Sequence, residues 1–402
     1  TAPGTAPATA PASAAALQLG YLPTTLAVRA DQLTVAGRTF NGLVLGGSRV
    51  GTLWRANVDA FELSGYGEWR PPGASGAGSV YARLARLQLP PSAATEVEQL
   101  LQQPRSVPAL DIAVDDLALG ERRLGRVEVQ AVNRGGAGSA SVWQLTRLLA
   151  TLPEARLSAT GNWAANPQTS AASAPRRAAF DFTLEVLDAG ALLTRFGRPD
   201  TVRGGKGTIA GQLAWLGSPL ALDYPSLSGQ LQADFERGQF LKVEPGAAKL
   251  LGVLSLQALP RRLVLDFRDV FSQGFAFDFV RGDARIEQGV VFTNNLQMKG
   301  VNAAVLMEGS ANIALETQDL KVVVVPEINA GTASLIATVI NPAIGLGTFL
   351  AQFLLRQPLQ AAATQQFQIT GGWADPQVEK VERSPTAPAR PAAPPPAPRS
   401  IP

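Results

Sequence analysis

The feature that most constrains this chain is a two-residue rhythm. Phe180, Phe182, Leu184 and Val186 are separated by Asp181, Thr183 and Glu185. Leu231, Ala233 and Phe235 are separated by Gln232 and Asp234, and Leu263, Leu265 and Phe267 by Val264 and Asp266. Val280, Ala284 and Ile286 stand against Arg281, Asp283, Arg285 and Glu287. A period of two gives a strand one apolar and one wet face. Strands of a fully covered parallel sheet read as continuous apolar runs instead, so this pattern predicts a mainly β, antiparallel architecture. Glycine-containing segments such as Glu287-Gln288-Gly289 and Met298-Lys299-Gly300 are expected to be turns between runs.

Helices are expected in only a few places. Asp188 to Phe196 has an N-capping aspartate and is followed by Gly197. Pro245 to Leu259 opens on a proline and stops at Pro260, and Ser92 to Gln103 is a third candidate. A weak repeat also runs through the chain. "ADQLTVAGRTFNGLVL" from Ala30 resembles "VDDLALGERRLGRVEV" from Val114, and Gly-x-Trp recurs at Gly67 to Trp69, Gly161 to Trp163 and Gly371 to Trp373. Gly211 to Trp215 looks like a stretched copy. Such self-similarity suits a meander unit stacked several times.

The ends differ from the middle. Residues 1–17 read as a Pro/Ala/Thr-rich linker and 383–402 as a Pro-rich tail, both expected to be disordered. The start has neither a basic n-region nor a long apolar core, so it is not read as a signal peptide; the chain reads as a piece of a larger protein. Between the ends, 18–200 is taken as one repeat segment and 201–382 as a second region, with helices near 245–259 and 332–357.

Composition removes several chemistries. The chain has no cysteine and no histidine, which excludes disulfides, Cys/His zinc sites, thiol nucleophiles and Ser-His-Asp triads. A net charge of +3, with arginine pairs such as Arg122-Arg123, Arg176-Arg177 and Arg261-Arg262 expected at solvated strand ends, offers no basic stripe for nucleic acid. Gly204 to Thr208, "GGKGT", fails the phosphate-loop spacing and reads as a glycine-rich strand turn. Asp115-Asp116 lacks calcium-loop spacing. Asp266, Asp269 and Asp278 lie near one another in sequence, but Asp266 and Arg268 share the wet face of one strand, which predicts a surface ion pair rather than a hydrolytic carboxylate pair. No catalytic or metal site and no cofactor is expected.

One stretch breaks the rhythm. From Ile328 to Leu355 there is no charged residue, and Asn341-Pro342 divides the segment. A membrane-spanning helix needs about 20 unbroken residues, and an interior proline costs about 3 kcal/mol. The alternatives are a buried helix pair, a broken helix or hairpin at the end of the sheet, and a single span. Alternation leaves the larger architecture open as well. A closed sandwich or solenoid, its apolar faces all core, fits the same pattern as an open groove.

The ordered blocks Gly238–Val253, Leu265–Asp278, Gly289–Gly300, Glu308–Pro326 and Phe367–Val378, the last with Gly-x-Trp-x-Asp-Pro, resemble the C-terminal region of the YhdP group of AsmA-like proteins of the Gram-negative envelope. The likeness is strong over about 200–382 and thinner over 20–200. It implies an elongated, twisted antiparallel sheet curled into a groove, with a few short helices and a broken apolar helix near the C-terminus. It implies a non-enzymatic segment of a periplasm-spanning protein, anchored in the inner membrane, that carries phospholipid toward the outer membrane. The partners it implies are phospholipid acyl chains, the outer membrane at the C-terminal end and the anchored remainder of the parent chain. Under that reading the groove lining is Phe180, Phe182, Leu184, Leu263, Leu265, Phe267, Val280, Ile286, Val305, Met307, Val322 and Val324. The membrane contact is Ile344, Leu346, Phe349, Leu350, Phe353 and Leu354, with Arg356 at the headgroups. The rival expectation is an envelope scaffold or assembly factor whose apolar face is filled by protein.

Overall fold

A computed structural model describes residues 23–35, 38–73, 76–90, 107–120, 122–134, 142–165, 176–219, 221–241, 275–300, 303–326, 345, 348 and 364–381. The expected helices at Ser92–Gln103 and Pro245–Leu259 lie outside these residues, as do nearly all of 332–357 and both terminal segments.

The described residues form one open, curled sheet of eighteen strands. In order these are β1 (Thr25–Val35), β2 (Arg38–Val50), β3 (Leu53–Asp59), β4 (Leu63–Arg70), β5 (Ser79–Leu89), β6 (Ala109–Leu119), β7 (Arg122–Arg134), β8 (Val142–Thr151) and β9 (Ala155–Ala165). They continue with β10 (Arg176–Val186), β11 (Val202–Leu216), β12 (Ser228–Phe240), β13 (Phe275–Glu287), β14 (Val290–Gly300), β15 (Ala303–Asn312), β16 (Thr317–Pro326), β17 (Gln365–Gly372) and β18 (Pro376–Lys380). Each strand pairs with the next one in sequence. Every pair is antiparallel except β5–β6, which is parallel with Ser79 opposite Ala109. At about 4.8 Å per strand, such a ribbon is on the order of 80 Å long. Twisted open sheets rarely exceed about ten strands without curling or splitting, and here the ribbon curls.

No described element forms a second layer on this ribbon; strands touch their sequence neighbours. The exceptions are α1 (Ala189–Arg195) and the short 3-10 turn Tyr224–Ser226, both of which contact β11. The helix lies where the sequence predicts it. Asp188 caps it by accepting from the Ala191 amide at 2.9 Å, and Gly197 leaves it at φ 81°. Arg195 then ties the helix to the sheet through two hydrogen bonds to Glu154, at 2.9 and 2.5 Å. That guanidinium holds the Glu154 carboxyl below the usual carboxylate range.

Three local expectations need correction. "GGKGT" is not a turn: it lies inside β11, where Gly204 and Gly205 adopt φ 62° and 80°. Met298-Lys299-Gly300 is the last stretch of β14, not a turn. Arg176 is not a solvated strand end. Its guanidinium lies 4.6 Å from the Trp163 ring centre and donates to the Trp163 carbonyl at 2.7 Å, and burial pushes it below its ordinary pKa. The Gln288-Gly289 turn does form, with φ 48° and 77°, the left-handed pair that a tight hairpin requires.

Candidate functional site

Residues directly opposite one another in adjacent strands share a face, so the register assigns each side chain to one side of the ribbon. Across β10 to β13, one row reads Phe180, Leu213, Gly229, Ile286 and the next Phe182, Gly211, Leu231, Ala284. A third reads Leu184, Ile209, Ala233, Gly282. The same face continues through Val280, Met298, Val305 and Val324, and through Met307, Val322 and Phe367. Toward the N-terminus it runs through Leu157, Ala150, Val127, Val114 and Leu84. The nine described residues of the expected lining therefore lie on one continuous apolar face. Leu263, Leu265 and Phe267 lie outside the described residues, and so do all six expected membrane-contact residues.

This continuity needs corrections to simple alternation. In β13, Phe275 and Phe277 are buried at 3% and 6% although they are out of phase with Val280. A register shift between Phe277 and Phe279 brings both sets to the same side. The neighbouring strands break phase at the same level, through Gly204-Gly205 in β11 and Arg237 at φ 47° in β12. Asn294 and Asn295 form a further irregularity in β14. Asn295 is satisfied there, accepting from the Asp283 amide at 2.9 Å and donating to the Asp283 carboxylate at 2.7 Å. Each break adds or rotates one residue and so keeps the apolar side chains together.

Several glycines on the apolar face make room for rings of the adjacent strands. A Cβ on Gly161 would lie 2.4 Å from the Phe180 ring, one on Gly207 2.8 Å from Phe235, and one on Gly238 or Gly300 2.4 Å from Phe277 or Phe275. Each ring lies across the glycine of the next strand. Large side chains thereby lie where a Cβ on the adjacent strand would clash with them.

Exposure along this face is uneven. Phe180, Phe182, Leu184, Ile209 and Leu231 are half-buried, while their neighbours Asp181, Glu185 and Gln230 are exposed. Toward the C-terminus the face closes: Val305 is 0%, Val322 2% and Phe367 6% exposed, in one cluster with Phe275, Phe277, Met298 and Ile369. β15 and β16 are also covered on the opposite face, where Leu306, Val323 and Val325 are at most 1% exposed. Within the uncharged stretch Gly345 is described; it is buried, and Asn294 of β14 is its nearest neighbour.

The other face carries ordinary surface chemistry. Asp278 pairs with Lys299 at 3.1 Å, Asp115 with Arg126 at 3.1 Å and Asp111 with Arg83 at 2.8 Å. A concavity of about 1440 Å³ on this side includes Gln212, Gln230, Gln232, Asp283 and Arg285 in its lining, with no converging acid–base set. Among the described residues no group of three or more acidic side chains could hold a metal ion, and no helix is long and apolar enough to cross a membrane.

The model of the YhdP protein family matches residues 6–378 of this chain. Over 231 residues the chain is 32% identical to the intermembrane phospholipid transporter YhdP of Escherichia coli strain K12, a match covering 57% of this chain and 18% of that protein. The chain thus spans a minor part of that relative's length. No solved structure matches. On the family match, carried by nearly the whole of the folded ribbon, the chain belongs to the YhdP protein family.

Proposed function

We propose that this chain is a segment of a phospholipid conduit between the inner and outer membranes, in which the apolar face shields acyl chains from water. The observation that carries this reading is an eighteen-strand sheet on which, among the described residues, no second layer covers the middle of the apolar face, where Phe180, Phe182 and Leu184 are only half-buried. A soluble protein normally buries such a face against a second layer. The gain for a lipid is large. At about 0.8 kcal/mol per CH₂, a sixteen-carbon tail left in water costs on the order of 13 kcal/mol. The similarity to an intermembrane phospholipid transporter supports the same reading. The chemistry needed is burial and release, with no bond made or broken. The residues assigned to the path are Phe180, Phe182, Leu184, Val280, Ile286, Val305, Met307, Val322 and Val324, with Leu263, Leu265 and Phe267 continuing it.

A photo-crosslinking residue at Leu184 is expected to capture phospholipid in the envelope, while one at the neighbouring Glu185 captures none. Equal capture at both positions, or at neither, removes the conduit.

In the same proposal the periplasm is the chain's compartment, and an inner-membrane anchor belongs to the parent protein. The uncharged stretch meets the outer membrane through Ile344, Leu346, Phe349, Leu350, Phe353 and Leu354. Liposome flotation separates this contact from mere packing on the sheet. The chain is expected to float with vesicles and the Phe353→Asp variant to remain with soluble protein; flotation unaffected by the substitution argues against the contact.

A further inference from the structure

The six tryptophans of the chain lie along one rim of the ribbon. Trp54 and Trp143 stand at the starts of β3 and β8, Trp69, Trp163 and Trp215 at the ends of β4, β9 and β11, and Trp373 just beyond β17. Because the strands run back and forth with one parallel join, β5–β6, these starts and ends fall on the same edge. Trp54 is directly opposite Trp69, and Trp143 opposite Trp163. Trp163 and Trp215 both face Ala178, from either side. The register places these five on the apolar face, at its border. Their indole N–H groups turn to the backbone at that edge: Trp143 donates to Pro108 at 3.2 Å, Trp163 to Gly217 at 2.7 Å and Trp215 to Ser218 at 2.8 Å. The opposite rim has no tryptophan.

Charge distinguishes the same edge. Along β2 to β10 the row is flanked by Arg49, Arg70, Arg134, Arg176 and Arg177. Arg49 lies over Trp54 at 5.6 Å and Arg176 over Trp163 at 4.6 Å, both on the indole face, whereas the exposed Arg70, Arg134 and Arg177 are one residue out of step and lie on the opposite face. The acids nearby are already paired, Glu68 with Arg55 at 3.3 Å and Asp111 with Arg83. The connections at this edge, 51–52, 71–78, 135–141 and 166–175, contain no Asp or Glu. In the C-terminal half the balance reverses, with Asp223, Glu316 and Asp375 in the corresponding turns.

Tryptophan has an apolar body and a polar N–H, and it settles where hydrocarbon meets water. Arginine binds phosphate through a fork of N–H donors. We propose that this rim is the headgroup side of the lipid path: tails lie on the apolar face, and the glycerol–phosphate sits level with the indoles, beside Arg49 and Arg176, which the register places on the same face. The proposal rests on the conduit reading and adds the orientation of the lipid within it.

Native tryptophan fluorescence reads that orientation directly, because every indole is on the one rim. The 402-residue chain is loaded with phosphatidylcholine bearing a nitroxide either on the choline or near the end of an acyl chain, and bound lipid is quantified by extraction. At equal occupancy the headgroup label is expected to quench about threefold more than the tail label. In the R49Q/R176Q variant, checked for folding by circular dichroism, loading with phosphatidylglycerol is expected to fall severalfold, while R70Q/R134Q/R177Q, on the opposite face, is expected to load normally. Equal or stronger quenching by the tail label, with lipid bound, overturns the orientation and leaves the conduit standing. Undiminished phosphatidylglycerol loading of the double variant, or an equal loss in the triple variant, overturns the arginine assignment. Failure of either labelled lipid to bind removes the conduit and the orientation together.

Discussion

Substituting aspartate for Phe182 is expected to reduce phospholipid retained by the purified chain at least tenfold while leaving the sheet folded. Phe182 sits mid-strand in β10, between Ala159 and Gly211, half-buried on the apolar face. A carboxylate there remains hydrated without acyl chains but must lose water when one covers it, and an unpaired charge resists that strongly. The sheet itself loses only the contacts of one partly exposed ring, on the order of 1–2 kcal/mol. Thr183→Asp, one residue along on the wet face, is the matched control and is expected to retain lipid normally. The comparison is read by mass spectrometry of extracted lipid, with circular dichroism as the check on folding. Undiminished lipid in F182D, at unchanged fold, shows that this face is not the path.

The second large effect concerns the close approach of β11 and β12. A Cβ on Gly211 would stand 2.1 Å from the Gln230 carbonyl oxygen and 3.0 Å from the Leu231 side chain. No rotamer relieves a clash with backbone, so Gly211→Val must force β11 and β12 apart. The expected cost is about 3 kcal/mol or more. At about 1.4 kcal/mol per tenfold, amides of β10 to β12 should exchange on the order of 100-fold faster. Gly46, in β2, has open space where its Cβ would be. Gly46→Val is expected to leave exchange nearly unchanged. Similar protection in both variants would mean that the approach of β11 and β12 at Gly211 does not require a glycine.

Much of this arrangement is legible before any coordinates. Period-two runs such as Phe180 to Val186 identify both the strand and its apolar face, because neither depends on distant residues. The Asp188 cap and Gly197 likewise announce α1 locally. What alternation hides is where it slips. Phe275 and Phe277 are out of step with Val280, and only the pairing of β13 with β14 shows that all three share a face. Positive φ at Gly204, Gly205 and Arg237 belongs to the same hidden event. The Gly-x-Trp repeat was visible, but its meaning was not. It marks strand ends and so finds Trp69 and Trp163, yet it passes over Trp54 and Trp143, which begin strands at the same edge. The alternative of a sandwich or solenoid also survived the sequence, since a half-open face and a filled one share the same alternation. Among the described residues only register and exposure distinguish the two locally: the face is half-buried from Phe180 to Leu184 and filled from Val305 to Phe367.

The lone parallel pairing has a consequence for how such a ribbon can grow. In a strict up-and-down meander, adding a hairpin leaves every later strand pointing as before, whereas adding a single strand reverses them all. The join between β5 and β6 performs that reversal once, since the chain leaves β5 at one edge and re-enters β6 at the other. With an ordinary hairpin there, Trp143, Trp163, Trp215 and Trp373 would stand across the ribbon from Trp54 and Trp69. The crossover acts as a parity correction, and lengthening by duplication is therefore constrained to even numbers of strands unless another such join comes with it.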